Sequence, residues 1–87
     1  MYAVVIPVTF IDRSAAEGEL DGLVSRVSGS PEFVAGYWVA LSQERGTSMV
    51  MFNTEEAAQA LATMARSAPA VTVTTGEIEV GEVMAHA

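Results

Sequence analysis

The sequence predicts an α+β sandwich made of one domain over residues 1–87. Three observations lead there. Stretches rich in β-branched and aromatic residues alternate with two segments whose apolar residues recur at helical spacing. These segments run strand, helix, strand, strand, helix, strand, with no linker or low-complexity tract between them. The stretch Phe33 to Leu41 is apolar on both faces, so one side of the sheet must pack on helices and the other on something else.

The first strand is Tyr2 to Phe10, apolar on both sides, as suits a strand covered on both faces. Pro7 has no amide hydrogen and implies a missing ladder bond or a bulge. In the next segment, Ser14 followed by Glu17 is a capping-box pattern, and Ala16, Leu20, Leu23, Val24 and Val27 form one apolar stripe. Arg26 suits the negative end of this helix, and Gly29 is placed to close it in the left-handed conformation. Gly18 and Gly22 read as points of close packing on the sheet.

Ser30-Pro31 resets the chain before the second strand, Phe33 to Leu41. Residues 42–46 have turn composition, and Thr47 to Phe52 returns as the other half of an antiparallel hairpin. Asn53 reads as the cap of the second helix, with Glu56 as its partner, and Ala57, Leu61, Met64, Ala65 and Ala68 as its buried stripe. Pro69 ends that helix. Val71 to Ala85 is strand-like, with Gly76 and Gly81 marking a kink or bulge. The pattern is a split β-α-β unit repeated twice: a ferredoxin-like sandwich, with a four-stranded antiparallel sheet and two helices on one face.

Composition excludes several function classes. Eleven acidic residues against four arginines and no lysine give a net charge of −7, and the arginines are scattered, so no basic patch suits nucleic acid. There is no cysteine for a disulfide, a thiol nucleophile or a thiolate metal site. No second His or group of carboxylates stands at ligand spacing, so neither a metal nor another cofactor is expected. The N-terminus reads as a strand rather than a leader, and no apolar run reaches the ~18 residues that span a bilayer. A soluble cytoplasmic protein with no membrane partner is expected.

Apolar residues make up 51% of the chain. Two helices cover one face of a sheet, yet the strands do not alternate apolar with polar. Phe33, Ala35, Tyr37, Val39 and Leu41 fall on one side of the second strand, and Val34, Gly36, Trp38 and Ala40 on the other. A monomer would expose more than the ~300–600 Å² apolar patch usual for soluble proteins. A homodimer, packed sheet against sheet about a two-fold axis, is the expected remedy.

The element order, the Pro31…Phe33…Gly36-Tyr37 run, and Phe52-Asn53-Thr54-Glu55-Glu56-Ala57 joining strand to helix resemble the dimeric α+β barrel superfamily. The likeness is greatest to its antibiotic-biosynthesis-monooxygenase-like branch and covers essentially the whole chain. It implies a homodimer with one cavity per protomer between helices and sheet. That superfamily includes cofactor-free oxygenases acting on polyphenolic or quinone-like compounds, haem-degrading enzymes and isomerases, and fold alone does not choose among them. Its haem-degrading members use an Asn on the first strand, a Trp at the end of the third and a His on the second helix. Here the first strand has no Asn, the third ends in Phe52, and the second helix has no His, which argues against haem degradation.

Four residues are candidates for a site. Tyr37 and Trp38 are strand neighbours and must point to opposite faces. They serve either as core and interface packing or as a hydroxyl and a stacking surface for a flat ligand. Asn53 reads first as a cap and second as a substrate-orienting amide. His86 is the one histidine and the obvious general base, but it stands at the chain end. Glu77 and Glu79 share a face by the two-residue period and read as solvated edge charges. Met49 and Met51 read as adaptable core filler that could shape a soft pocket. The leading reading is a protein that binds a small aromatic or polyketide-like molecule in an apolar cavity. The alternative is a cofactor-independent monooxygenase or isomerase.

Overall fold

A computed structural model describes all 87 residues. The elements are β1 (Tyr2–Phe10), α1 (Arg13–Ser28), β2 (Phe33–Ala40), β3 (Arg45–Phe52), α2 (Glu55–Ser67), β4 (Val73–Thr75) and β5 (Glu79–Glu82). β1 lies inside the sheet, with β3 on one side and both β4 and β5 on the other, while β2 flanks β3, and all pairings are antiparallel. This is the ferredoxin-like sandwich with its last strand broken in two.

Pro7 accounts for the break. Thr75 pairs with Val8 and Glu79 with Val5, so three residues of the last strand oppose Ile6 and Pro7 of β1. A residue in a strand points its N–H and C=O to the same side. The Pro7 carbonyl accepts from the Gly76 amide at 2.8 Å, so its absent N–H also faces the last strand. Where the ladder lacks a donor the partner strand bulges, and the extra residue turns Ile78 into the core, where it is 8% exposed. Gly81, by contrast, pairs regularly with Ala3.

A second bulge corrects the expected facing of β2. Phe33 pairs with Phe52, but Ala35 pairs with Met51, leaving Val34 as an extra residue. Phe33 therefore joins Gly36 and Trp38 on the helix side, not Tyr37 on the other. It packs against the core, edge-on to Phe52, with ring centroids 6.3 Å apart. Ala35, Tyr37 and Val39 face away from the helices with Met49 and Met51. The two methionines are thus on the open face rather than in the core, and Met49 is 44% exposed.

Both helix starts differ from expectation by one or two residues. Asp12, not Ser14, caps α1 by accepting from the Ala15 amide at 3.1 Å. Thr54, not Asn53, caps α2 by accepting from the Ala57 amide at 3.2 Å. In each case the capping side chain comes from a residue with extended backbone just before the first helical turn. Asn53 instead ties the turn by donating its backbone N–H to the Glu32 carbonyl at 2.8 Å. Gly29 ends α1 with right-handed dihedrals, its amide bonded to the Ser25 carbonyl. Gly18 and Gly22 face open space.

The core is small: Val4, Val50, Phe52, Ala58, Ala62 and Ile78. Ala58 and Ala62 are the fully buried residues of α2, flanked by half-buried Ala57, Leu61 and Ala65, while Met64 and Ala68 are exposed. α1 buries no residue at all. No helix is long and apolar enough to cross a membrane.

Candidate functional site

Because α1 stands off from the sheet, a cleft of about 600 Å³ remains between the two layers. That volume falls within the range of small-molecule sites and accommodates a fused ring system. Its floor is the helix side of the sheet: Ile6 and Val8 from β1, Trp38 from β2, Ser48 and Val50 from β3. One wall is the α1 stripe of Ala16, Leu20, Leu23 and Val27, which is where the predicted helical periodicity is used. Leu61, Met64 and Ala65 of α2 form the other wall. The alanines of α2 serve close packing at Ala58 and Ala62, and line the cleft at Ala57, Ala60 and Ala65.

The Trp38 indole is placed by its neighbour two residues back. A Cβ added at Gly36 would lie 2.7 and 2.8 Å from two carbons of the six-membered ring, so that edge of the ring runs against bare backbone. Gly36 is required for this close approach. The indole leans towards Phe33, the end of the sheet at which α1 terminates. The indole N–H donates to no protein group, and no buried side-chain nitrogen or oxygen in the molecule lacks a partner. The N–H therefore keeps access to solvent and is free to donate.

Polar groups around the cleft are few. Ser48 is 7% exposed and sends its hydroxyl to the Ile6 carbonyl at a long 3.5 Å. At one end Arg13 is fixed by three contacts: Nε to Glu17 Oε1 at 2.9 Å, Nη1 to the Ser42 carbonyl at 3.2 Å, and its guanidinium 5.7 Å from the Phe10 ring centroid. Thr72 donates to Glu19 Oε2 at 3.3 Å, tying α1 to the approach to β4. Arg26 and Ser30 lie at the other end.

Of the four candidates from the sequence, Trp38 lines the cleft. Tyr37 is on the opposite face, 59% exposed and paired with Met49. Asn53 lies in the turn before α2, and His86 lies in the exposed tail after β5. The fold does not bring these three together with Trp38 within one protomer. No group of three or more His, Asp and Glu side chains comes together to hold a metal. Ser48 and Arg26 were not among the candidates. Ser48 carried a signal, being polar on the face of β3 that otherwise presents Val50 and Phe52. Arg26 carried none, because only the tertiary fold brings the end of α1 to the cleft.

The open face of the sheet is the second exposed surface. Tyr37, Val39 and Met49 are 59%, 48% and 44% exposed. They continue across Ala3, Val5 and Met51, which line a shallow trough beside Glu79.

No family model and no curated protein matches the chain. Solved structures do. SnoaB, a cofactor-independent oxygenase from Streptomyces nogalater, superposes with a TM-score of 0.74 at 12% identity, covering 98% of this chain and 94% of its own. A dimeric ferredoxin-like protein from an uncultured marine organism gives 0.63 at 12% identity over 99% and 97%. The haem-degrading protein Rv3592 from Mycobacterium tuberculosis gives 0.64 at 22% identity over 100% and 99%. At these identities the likeness is one of fold, and it extends from end to end.

Proposed function

We propose that the protein is a homodimer that binds a small, flat, apolar molecule in the cleft of each protomer, with a ring of the ligand stacked on Trp38. The observation that carries this reading is the 600 Å³ cleft with the unpartnered indole on its floor. Aromatic stacking and apolar burial supply the affinity, and the indole N–H and the Ser48 hydroxyl supply orientation. Trp38 is the one tryptophan in the chain, so its emission reports occupancy directly. Titration with N-phenyl-1-naphthylamine is expected to quench Trp38, and Leu20→Trp, which fills the cleft from the α1 wall, is expected to abolish uptake of the probe. Saturable binding that survives Leu20→Trp would remove the cleft from the proposal.

Tyr37 is assigned to the subunit interface, where the open face of one sheet meets that of a second copy. This supports the dimer because the face is apolar and otherwise exposed, and one protein of the same fold is described as dimeric. Sedimentation at micromolar concentration should give a dimer, and Met49→Arg should give a monomer. A monomeric wild-type chain would refute the dimer.

A second reading, cofactor-independent oxygenation, is favoured by the fold shared with SnoaB and by the mostly apolar lining of the cleft. In such chemistry the substrate itself is oxidised, so the protein need only stabilise its anion and exclude water. A hydroxylated anthrone would take up one O₂ per molecule and release water and the quinone. No enzyme-dependent O₂ uptake across a panel of such phenolic compounds would leave the binding reading alone standing.

A further inference from the structure

Arg26 is the one charged side chain at the cleft without a partner. Arg13 is ion-paired with Glu17, and Glu19 accepts from Thr72. Arg26 is exposed, lines the cleft, donates no hydrogen bond and has no carboxylate within ion-pair distance. In a chain with eleven acidic residues, a free guanidinium at an apolar cleft is a specific arrangement. Ser30 lines the same end. Its Oγ accepts from the Glu32 amide at 3.4 Å, which leaves the hydroxyl proton free to donate. The Trp38 ring leans towards this end, so stacking surface and donors form a single path along the cleft.

We propose that the ligand is a flat polycyclic organic anion, with its rings on Trp38 and its acidic group held by the Arg26 guanidinium and the Ser30 hydroxyl. The inference rests on the cleft-binding reading above and narrows it from apolar ring compounds to their acids. A guanidinium offers a planar fork of donors that matches a carboxylate or sulfonate, and hydrogen bonds between ions are stronger than neutral ones. The rest of the chain works against an anion. With a net charge of −7, a cleft lacking a dedicated cation would favour the neutral member of any matched pair of ligands.

Such a pair exists. 1-Anilinonaphthalene-8-sulfonate and N-phenyl-1-naphthylamine share their rings and differ by one sulfonate. Titrated against the full chain, the sulfonate is expected to bind more tightly. Arg26→Gln should weaken it by about tenfold, the scale of one charged hydrogen bond, and leave the neutral probe unchanged. Ser30→Ala should weaken the sulfonate by a few-fold. Arg45→Gln, which removes the same charge outside the cleft, should change neither. Wild-type protein that binds the neutral probe as tightly as the sulfonate, or an Arg26→Gln protein that treats both alike, overturns the anion site and leaves the cleft reading intact. Failure of both probes to bind overturns both. Arg26 is exposed, so the variant should fold, and matched circular dichroism and melting curves check this.

Discussion

The two helices cover one sheet and do opposite things with it. α2 rests on the strands through Ala58 and Ala62, each wholly inaccessible to solvent, and through them closes on Val4 and Ile78. α1 carries the larger residues Leu20, Leu23 and Val27 and buries none of them. Methyl groups let a helix settle onto a sheet, whereas leucines with no recess opposite hold it off. The short chain has therefore concentrated its core under one helix and kept room under the other. What a helical stripe contributes depends on what faces it, not on how apolar it is.

Substitutions that erase this asymmetry should cost most. Ala62→Leu places three extra carbons where there is no space, and urea denaturation should show a loss of about 3 kcal/mol, the upper part of the overpacking range. Gly36→Ala attacks the floor of the cleft instead. The new methyl meets the Trp38 ring at 2.7 Å, and a loss of about 1–2 kcal/mol should accompany a shifted Trp38 emission maximum. The caps sharpen the contrast. Thr54→Ala and Asp12→Ala should each remove about 1 kcal/mol from their helix. For α2 the loss should appear in global unfolding, but for α1 mainly as faster hydrogen exchange within that helix, since little of the core depends on it. The smallest effect is expected for Leu20→Ala on the cleft wall. It should cost less than ~1 kcal/mol, well short of the ~2–5 of a buried leucine, while weakening N-phenyl-1-naphthylamine measurably. A Leu20→Ala loss equal to that of Ala62→Leu would contradict the contrast between the helices.

Much of the fold was legible in the sequence because it rests on periodicity. The extent of β1, the β2–β3 hairpin, both helices and the opposite facing of Tyr37 and Trp38 follow from period-two and helical spacing. The misreadings are local contests between residues of similar chemistry. Asp12 and Ser14 can both cap, as can Asn53 and Thr54, and backbone geometry decides between them. The bulge at Val34 left no mark in composition, so Phe33 was placed on the wrong face. Pro7 did announce a defect, but the extra residue appeared on the neighbouring strand. The stand-off of α1 was invisible for a different reason: a half-buried stripe and a buried one have the same period. Of the cleft, Trp38 was legible, whereas Arg26 needed the fold to bring a helix end beside a sheet.

The break opposite Pro7 also bears on how this chain avoids unwanted company. β4 and β5 lie at one margin of the sheet as runs of three and four residues, offset from each other by the bulge. A foreign strand that docked there in register with one would be out of register with the other. Margins of that kind are poor templates for runaway strand addition. A molecule with so much apolar sheet can then associate face to face without also growing sideways into fibres.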